Sequence, residues 1–190
     1  MNVEFERHSL VAKASAFAAY AHDGQFRKGS AIPYIVHPME AMAIAATMTN
    51  DPEVLAAAAL HDVIEDCGVT EEELRIRFGK RVAQLVLSVS ERKEADAVSS
   101  WQRRKLHTIN QLRVASREKM ILTLADKLSN LRSVERDLIA VGDALWQRFN
   151  QPNPSMHHWY YASIAESLKA LEDAAAYREY TALIGRVFGK

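Results

Sequence analysis

The chain has 190 residues, enough for one domain with a real hydrophobic core, and nothing in its length asks for two. Its 24 basic and 24 acidic residues cancel, so no net field draws in nucleic acid or an anionic membrane, and any phosphate binding must come from a local cluster. Cys67 is the single cysteine, which excludes an intramolecular disulfide and a thiolate zinc cage.

Met1 to Arg7 places acids where a signal peptide needs bases and an apolar run. No stretch approaches the roughly 20 apolar residues needed to span a bilayer, so a cytoplasmic protein is expected. Helical periodicity dominates, without repeats, linkers or a convincing strand alternation. Leu10, Ala14, Phe17, Ala18 and Ala21 recur at helical spacing and predict a first helix from Ser9 to His22. Asp23 to Pro38 reads as an irregular segment with two glycines and two prolines, carrying Arg27 and Lys28 at its middle. Glycines there would let the backbone approach an anion that the two bases neutralise. Taken alone, a solvated loop is the simpler reading. His37 precedes a helix predicted over Met39 to Thr47, and by itself suits a cap or a core position.

Asp51 and Pro52 make a helix start, and Val54 to Leu60 then runs apolar without a polar face, as a helix buried all round must. His61 and Asp62 therefore arrive at the end of a core helix, predicted to continue to a left-handed cap at Gly68. Burying an ionised carboxylate without a partner costs several kcal/mol, so something must compensate Asp62. His61 with Glu65, and Asp62 with Asp66, are i, i+4 neighbours, forming two adjacent rows. One metal ion could meet His61 and Asp62 while Glu65 and Asp66 sit a turn further on, where the helix dipole disfavours anions.

Thr70 and Glu73 have capping-box spacing and open a short helix ending near Gly79, and Arg81 to Ser90 continues as scaffold. Glu94 to Ser100 reads as a polar break. Trp101 to Leu112 is again helical, with Arg103, Arg104 and Lys105 pointing in three directions, so at most two can serve one site. Ser116 is a cap, and Met120, Ile121, Leu124, Ala125, Leu128 and Leu131 form a core stripe. Asp126 and Asn130 lie i, i+4 on a different side, a poor choice for stability alone. Gly142 to Ser155 looks like loop, and a last helix is predicted from His157, with Leu168, Leu171 and Ala175 closing the core. Trp159, Tyr160 and Tyr161 at its start offer a stacking surface for a base or a packed helix entrance.

His37, then His61-Asp62, then Asp126 resembles the pattern of the HD superfamily of metal-dependent phosphohydrolases. The runs from Ala21 to Lys28, Pro33 to Pro38, His61 to Asp66 and Leu124 to Arg132 closely resemble the hydrolase domain of RelA/SpoT proteins. That domain removes pyrophosphate from the 3′ position of guanosine tetraphosphate and pentaphosphate, (p)ppGpp. The resemblance is weakest from Glu91 to Glu118 and beyond Val134. It implies an all-α HD-domain helical bundle, one compact domain over residues 1–190, and, because the chain ends near the point where that domain ends, a stand-alone small alarmone hydrolase.

Carried over by position, the resemblance implies that His37, His61, Asp62 and Asp126 bind one Mn²⁺, with Zn²⁺ or Fe²⁺ as alternatives for such a mixed nitrogen and oxygen set. Glu65 and Asp66 match the catalytic carboxylates. Arg27 and Lys28 match bases that contact the nucleotide, Asn130 a nucleotide-contacting amide, and Tyr160 an aromatic residue near the guanosine. Arg104 and Lys105 are candidates for the 5′ phosphates. Gly29-Ser30-Ala31-Ile32 departs from the Ser-Gly order common in this loop, which touches the detail of substrate contacts and not the metal set. The implied substrate is a guanine nucleotide. The alternative is another nucleotide within the same superfamily: a dNTP, a nucleoside monophosphate or NADPH.

Overall fold

In the computed structural model, which describes the backbone of residues 3–91 and 99–189 and the side chains of 10–91 and 101–189, the chain folds around its alanines. Helix α3 (Pro52–Leu60) is buried along Ala56, Ala57, Ala58, Ala59 and Leu60. Such small side chains let neighbours approach on every face, and α1 (Val3–Ala21), α2 (Val36–Ala45) and α6 (Lys80–Val89) pack against it. Asp51 caps α3 by accepting from the Glu53 N–H at 2.9 Å, and Pro52 fills the first helical position.

The second organiser is the long helix α8 (Arg117–Val141), which lies against α2 on one side and α10 (Ala175–Phe188) on the other. Ser116 caps it through the Lys119 N–H. Leu124, Ala125, Leu128 and Leu131 are fully buried, as the core stripe requires. Helix α5 (Glu71–Phe78) packs on α6, and α7 (Ser99–Leu112) on α9 (Pro154–Ser167). Among the described residues the regular elements are helical, the isolated bridge Phe26–Pro33 aside. None of these helices is long and apolar enough to cross a membrane.

Several boundaries differ from the sequence expectation. Helix α2 starts at Val36, which brings His37 and Pro38 into its first turn, where a proline gives up no helical hydrogen bond. The predicted single helix from Pro52 to Gly68 is two: α3 ends at Leu60, and α4 (Val63–Cys67) restarts after a turn at His61 and Asp62. Gly68 does close it in the left-handed conformation, at φ 70°. At Thr70 half of the capping box forms; the hydroxyl accepts from the Glu73 N–H, while the Glu73 carboxylate pairs with Arg77. The expected break at Glu94 to Ser100 lies mostly outside the described residues, and α7 already begins at Ser99. The Gly142 to Ser155 loop contains a 3-10 turn over Gly142–Arg148 that buries Leu145 and Trp146. The predicted last helix is divided: α9 opens at Pro154, capped by Asn153, and a 3-10 turn at Lys169–Leu171 separates it from α10.

Candidate active site

Three places in the fold deliver the central polar group. His37 comes from the first turn of α2, His61 and Asp62 from the turn between α3 and α4, and Asp126 from the middle of α8. The imidazoles meet with Nε2 atoms 3.1 Å apart. Asp62 Oδ2 lies 3.5 Å from His37 Nε2 and 3.2 Å from His61 Nε2, and Asp126 Oδ1 lies 3.3 and 3.7 Å from the same atoms. His37, His61 and Asp126 each present a ligand atom within 4.8 Å of the others. Adjacent ligands bound at about 2.1 Å to one centre at right angles stand about 3 Å apart, so the His37, His61 and Asp126 atoms suit a common cation, with Asp62 beside both imidazoles as a candidate fourth ligand. The fit is also chemical. His61 Nδ1 is 2.8 Å from the Ala58 carbonyl, which can only accept, so a proton sits there and Nε2 is the nitrogen left to meet a metal. In the absence of one, and against the effect of burial, Asp62 and Asp126 push the imidazole well above its ordinary pKa.

Burial alone would push the Asp62 and Asp126 carboxyls up, yet both are held well below the ordinary carboxylate range. His61 and His37 outweigh burial at Asp62, and Lys127 with the two histidines does so at Asp126. Lys127 Nζ sits 2.7 Å from Asp126 Oδ2, turning the other oxygen of that carboxylate toward the imidazoles. Glu65 behaves differently. Burial, resisted by the Glu91 backbone N–H that donates to it and reinforced by the Asp62 charge, pushes its pKa up to about 7.

Tyr34 ties the carboxylates together. Its hydroxyl lies 2.7 Å from Asp62 Oδ2 and 3.1 Å from Asp66 Oδ2. Burial and the Asp62 charge push the phenol far above its ordinary pKa, so it remains a donor. The ring is stacked on buried His22, which bonds Gln25 at 2.9 Å and touches Cys67 Sγ at 3.2 Å. The backbone bond from Tyr34 N–H to the Gln25 carbonyl closes the loop that positions it.

Of the expected substrate contacts, Arg27 and Asn130 come together beside Asp126 of the histidine and aspartate cluster. Arg27 Nη2 donates to Asn130 Oδ1 at 2.6 Å, and the Asn130 amide donates to Asp126 Oδ1. Lys28 points elsewhere, over the Phe149 ring with Nζ 5.9 Å from its centroid. Gly29, at φ 72°, is packed so closely under Arg148 that an added Cβ would meet its side chain at 2.6 Å. Arg104 and Lys105 both pair with Glu91, whose backbone N–H holds Glu65, so the two bases border Glu65 through one intermediary. Tyr160 is not an open stacking platform. It is 4% exposed, its ring lies under Lys105 with Nζ 4.9 Å from the centroid, and its hydroxyl is buried without a hydrogen-bond partner.

The sequence reading passed over Tyr34, Lys127, Glu91, Ser129 and Glu40 as site residues. Tyr34 and Lys127 stand inside the quoted runs, and their proximity to His37 and Asp126 is the only signal they carry. Glu91 has none, because its role depends on a contact 26 residues away.

A model of the HD domain family matches residues 14–153. A guanosine-3′,5′-bis(diphosphate) 3′-pyrophosphohydrolase of Vibrio cholerae is 43% identical over 122 residues, covering 60% of this chain and 16% of that protein. The bifunctional (p)ppGpp synthase/hydrolase SpoT of Escherichia coli is 38% identical over 130 residues, 64% of this chain and 18% of that one. The match thus spans under a fifth of either relative's length, 16% and 18%. Among solved structures, a metazoan ortholog of SpoT, described as hydrolysing ppGpp and acting in starvation responses, superposes with a TM-score of 0.77 at 25% identity over 94% of each chain. The lmo0812 structure from Listeria monocytogenes gives 0.72 at 34% identity, over 81% of this chain and 99% of that one.

Proposed function

The chain belongs to the HD domain family, and on that premise we propose that it is a manganese-dependent hydrolase of the 3′-pyrophosphate of (p)ppGpp, giving GDP or GTP and pyrophosphate, with residues 1–190 as one hydrolase domain. The observation that carries the reading is the convergence of His37, His61, Asp62 and Asp126 around a common centre, with Glu65 and Asp66 on the next turn. The pyrophosphohydrolase and SpoT relatives support the choice of substrate.

His37, His61, Asp62 and Asp126 would hold the ion, a nitrogen and oxygen set suited to Mn²⁺. When bound there, the cation supplies Lewis acidity toward a phosphoryl oxygen and lowers the pKa of a water. The protein does the rest. Glu65, with a pKa near neutrality, is suited to accept a proton from the attacking water and to pass one on. Asp66, oriented by the Tyr34 hydroxyl, aligns that water. The water oxygen bonds to the phosphorus carried on the 3′ oxygen, the bond between them breaks, and the 3′ oxygen leaves with a proton. Arg27 and Asn130 offer a guanidinium and an amide beside the centre for the nucleotide. Lys105 and Arg104 offer positive charge across Glu91 for its 5′ phosphates.

Purified protein with Mn²⁺ should be assayed against ppGpp, dNTPs, nucleoside monophosphates and NADPH, reading pyrophosphate and phosphate separately. Pyrophosphate from ppGpp is the expected result. Turnover confined to another nucleotide would move the protein elsewhere in its family.

A further inference from the structure

The face of His37 turned away from His61 is held by a line of polar side chains that the proposed chemistry does not use. His37 Nδ1 lies 2.8 Å from Ser129 Oγ, and Ser129 in turn donates to Glu40 Oε2 at 2.8 Å. Arg132 donates to the other Glu40 oxygen at 3.0 Å and clamps Glu179 of α10 with two bonds of 2.7 Å. His37 and Ser129 are 2% and 1% exposed, which keeps bulk water from replacing either partner.

Each bond fixes the direction of the next. A guanidinium only donates, and a carboxylate only accepts, so Glu40 takes bonds from Arg132 and Ser129 alike. Ser129 has one proton. Having given it to Glu40, it can only accept from the imidazole, which must therefore carry N–H at Nδ1 and, when the ring is neutral, leaves its lone pair at Nε2. His61 reaches the same state through the Ala58 carbonyl. With both rings neutral, two nitrogen lone pairs face each other at 3.1 Å, an arrangement relieved by a proton or a metal cation between them.

We infer that Glu179, Arg132, Glu40 and Ser129 form a relay of positioning residues that sets the tautomer of His37 and ties helix α10 to the metal centre. The inference rests on the reading of His37 as a metal ligand for its use, though not for its geometry. Outer partners of this kind typically change metal affinity tenfold to a hundredfold.

The decisive variant is Glu40→Gln. Arg132 will select the amide oxygen, which turns the amide nitrogen toward Ser129 as a donor. Ser129 then gives its own proton to His37 Nδ1, and the ring proton moves to Nε2, where it competes with the metal. Long-range ¹H–¹⁵N spectra of the histidine rings, taken on metal-free protein well above the ordinary imidazole pKa of about 6.5, should show the His37 proton on Nδ1 in the parent and absent from Nδ1 in Glu40→Gln. Mn²⁺ affinity by calorimetry should fall by about tenfold to a hundredfold, and by less in Ser129→Ala, which removes the acceptor at Nδ1 without supplying a donor there that would oppose the proton's return when metal binds. A merely structural role would make the alanine truncation at least as damaging. Should Glu40→Gln not fold, Ser129→Ala still decides, since losing the acceptor sends the proton to Nε2 beside the carboxylates. An Nδ1 proton retained in the variants, or unchanged Mn²⁺ affinity in Glu40→Gln, overturns the relay. Failure of the parent itself to bind Mn²⁺ would instead overturn the metal reading, with the ring spectra still deciding the relay.

Discussion

Glu65 shows how one side chain's surroundings set both its chemistry and its cost. With its pKa pushed from 4.5 to about 7, the native state binds more protons than the unfolded chain between those values. Stability contributed by the protonated form is therefore complete below about pH 4.5 and is lost as pH rises through about 7. In metal-free protein, Glu65→Gln lacks this loss, so the stability gap between variant and parent should open by roughly 3 kcal/mol in the variant's favour from pH 4.5 to pH 8. Urea unfolding at the two pH values reads it, and a gap that does not change with pH would contradict the buried, raised carboxyl. Tyr34→Phe tests the neighbouring contact. Losing the hydroxyl shared by Asp62 and Asp66 should lower turnover by about tenfold to a hundredfold with KM little changed. Single residues were legible in the sequence where a costly type stood in an apolar helix, as at His61, Asp62 and Asp126. They were not legible where the residue is ordinary and the partner distant. A tyrosine, a lysine and a serine look like any others until the fold brings Tyr34 to Asp62, Lys127 against Asp126 and Ser129 under His37.

At the scale of elements, the turn between α3 and α4 does the work that a continuous helix would not. It lets His61 and Asp62 leave the buried alanine helix while the bond from Asp66 N–H to the Asp62 carbonyl, 2.9 Å, keeps Glu65 and Asp66 on the following turn. With only five residues, α4 places both acids in its first turn as well as its last, so the dipole of a long helix does not act against them. Gly68 closes α4, and nothing lies within 4 Å of the position a Cβ would take. Gly68→Ala should thus cost only the left-handed backbone, about 1 kcal/mol, a fall of roughly 2–4 °C in Tm for a chain of this size, with Mn²⁺ uptake retained. A much larger loss would mean that the cap carries more than its own conformation. Caps at Asp51, Thr70 and Ser116 were legible because their signal is local. The break at His61 was not, because its φ and ψ of −58° and −30° are still helical and no glycine or proline marks it. The division of α9 from α10 was hidden for a related reason. Leu168 and Leu171 keep core spacing straight through the 3-10 turn, and both are buried.

Across the whole molecule, the buried helix α3 and the long helix α8 lie in contact and each brings residues to one polar centre, and α2 lies against both. The dominance of helix followed from periodicity, the bundle from the resemblance, and the core from the apolar stripes. The arrangement that unites residues 37, 61, 62 and 126 required packing of three separated segments, which only the resemblance anticipated. A cation bound at that junction should hold these segments together. At Mn²⁺ one hundredfold above its Kd, native stability should rise by about 2.7 kcal/mol, or roughly 5–10 °C in Tm. His61→Ala should erase that increment, and a Tm equally raised by Mn²⁺ in that variant would place the ion elsewhere. The most direct measurement is turnover of ppGpp by Mn²⁺-loaded protein, parent beside the double variant Glu65→Gln/Asp66→Asn, with metal content verified in both. The expected result is one pyrophosphate released per GDP by the parent, and at least about a hundredfold slower release by a variant that still holds metal and nucleotide. No pyrophosphate from the parent, or parental rates from the variant, would contradict it.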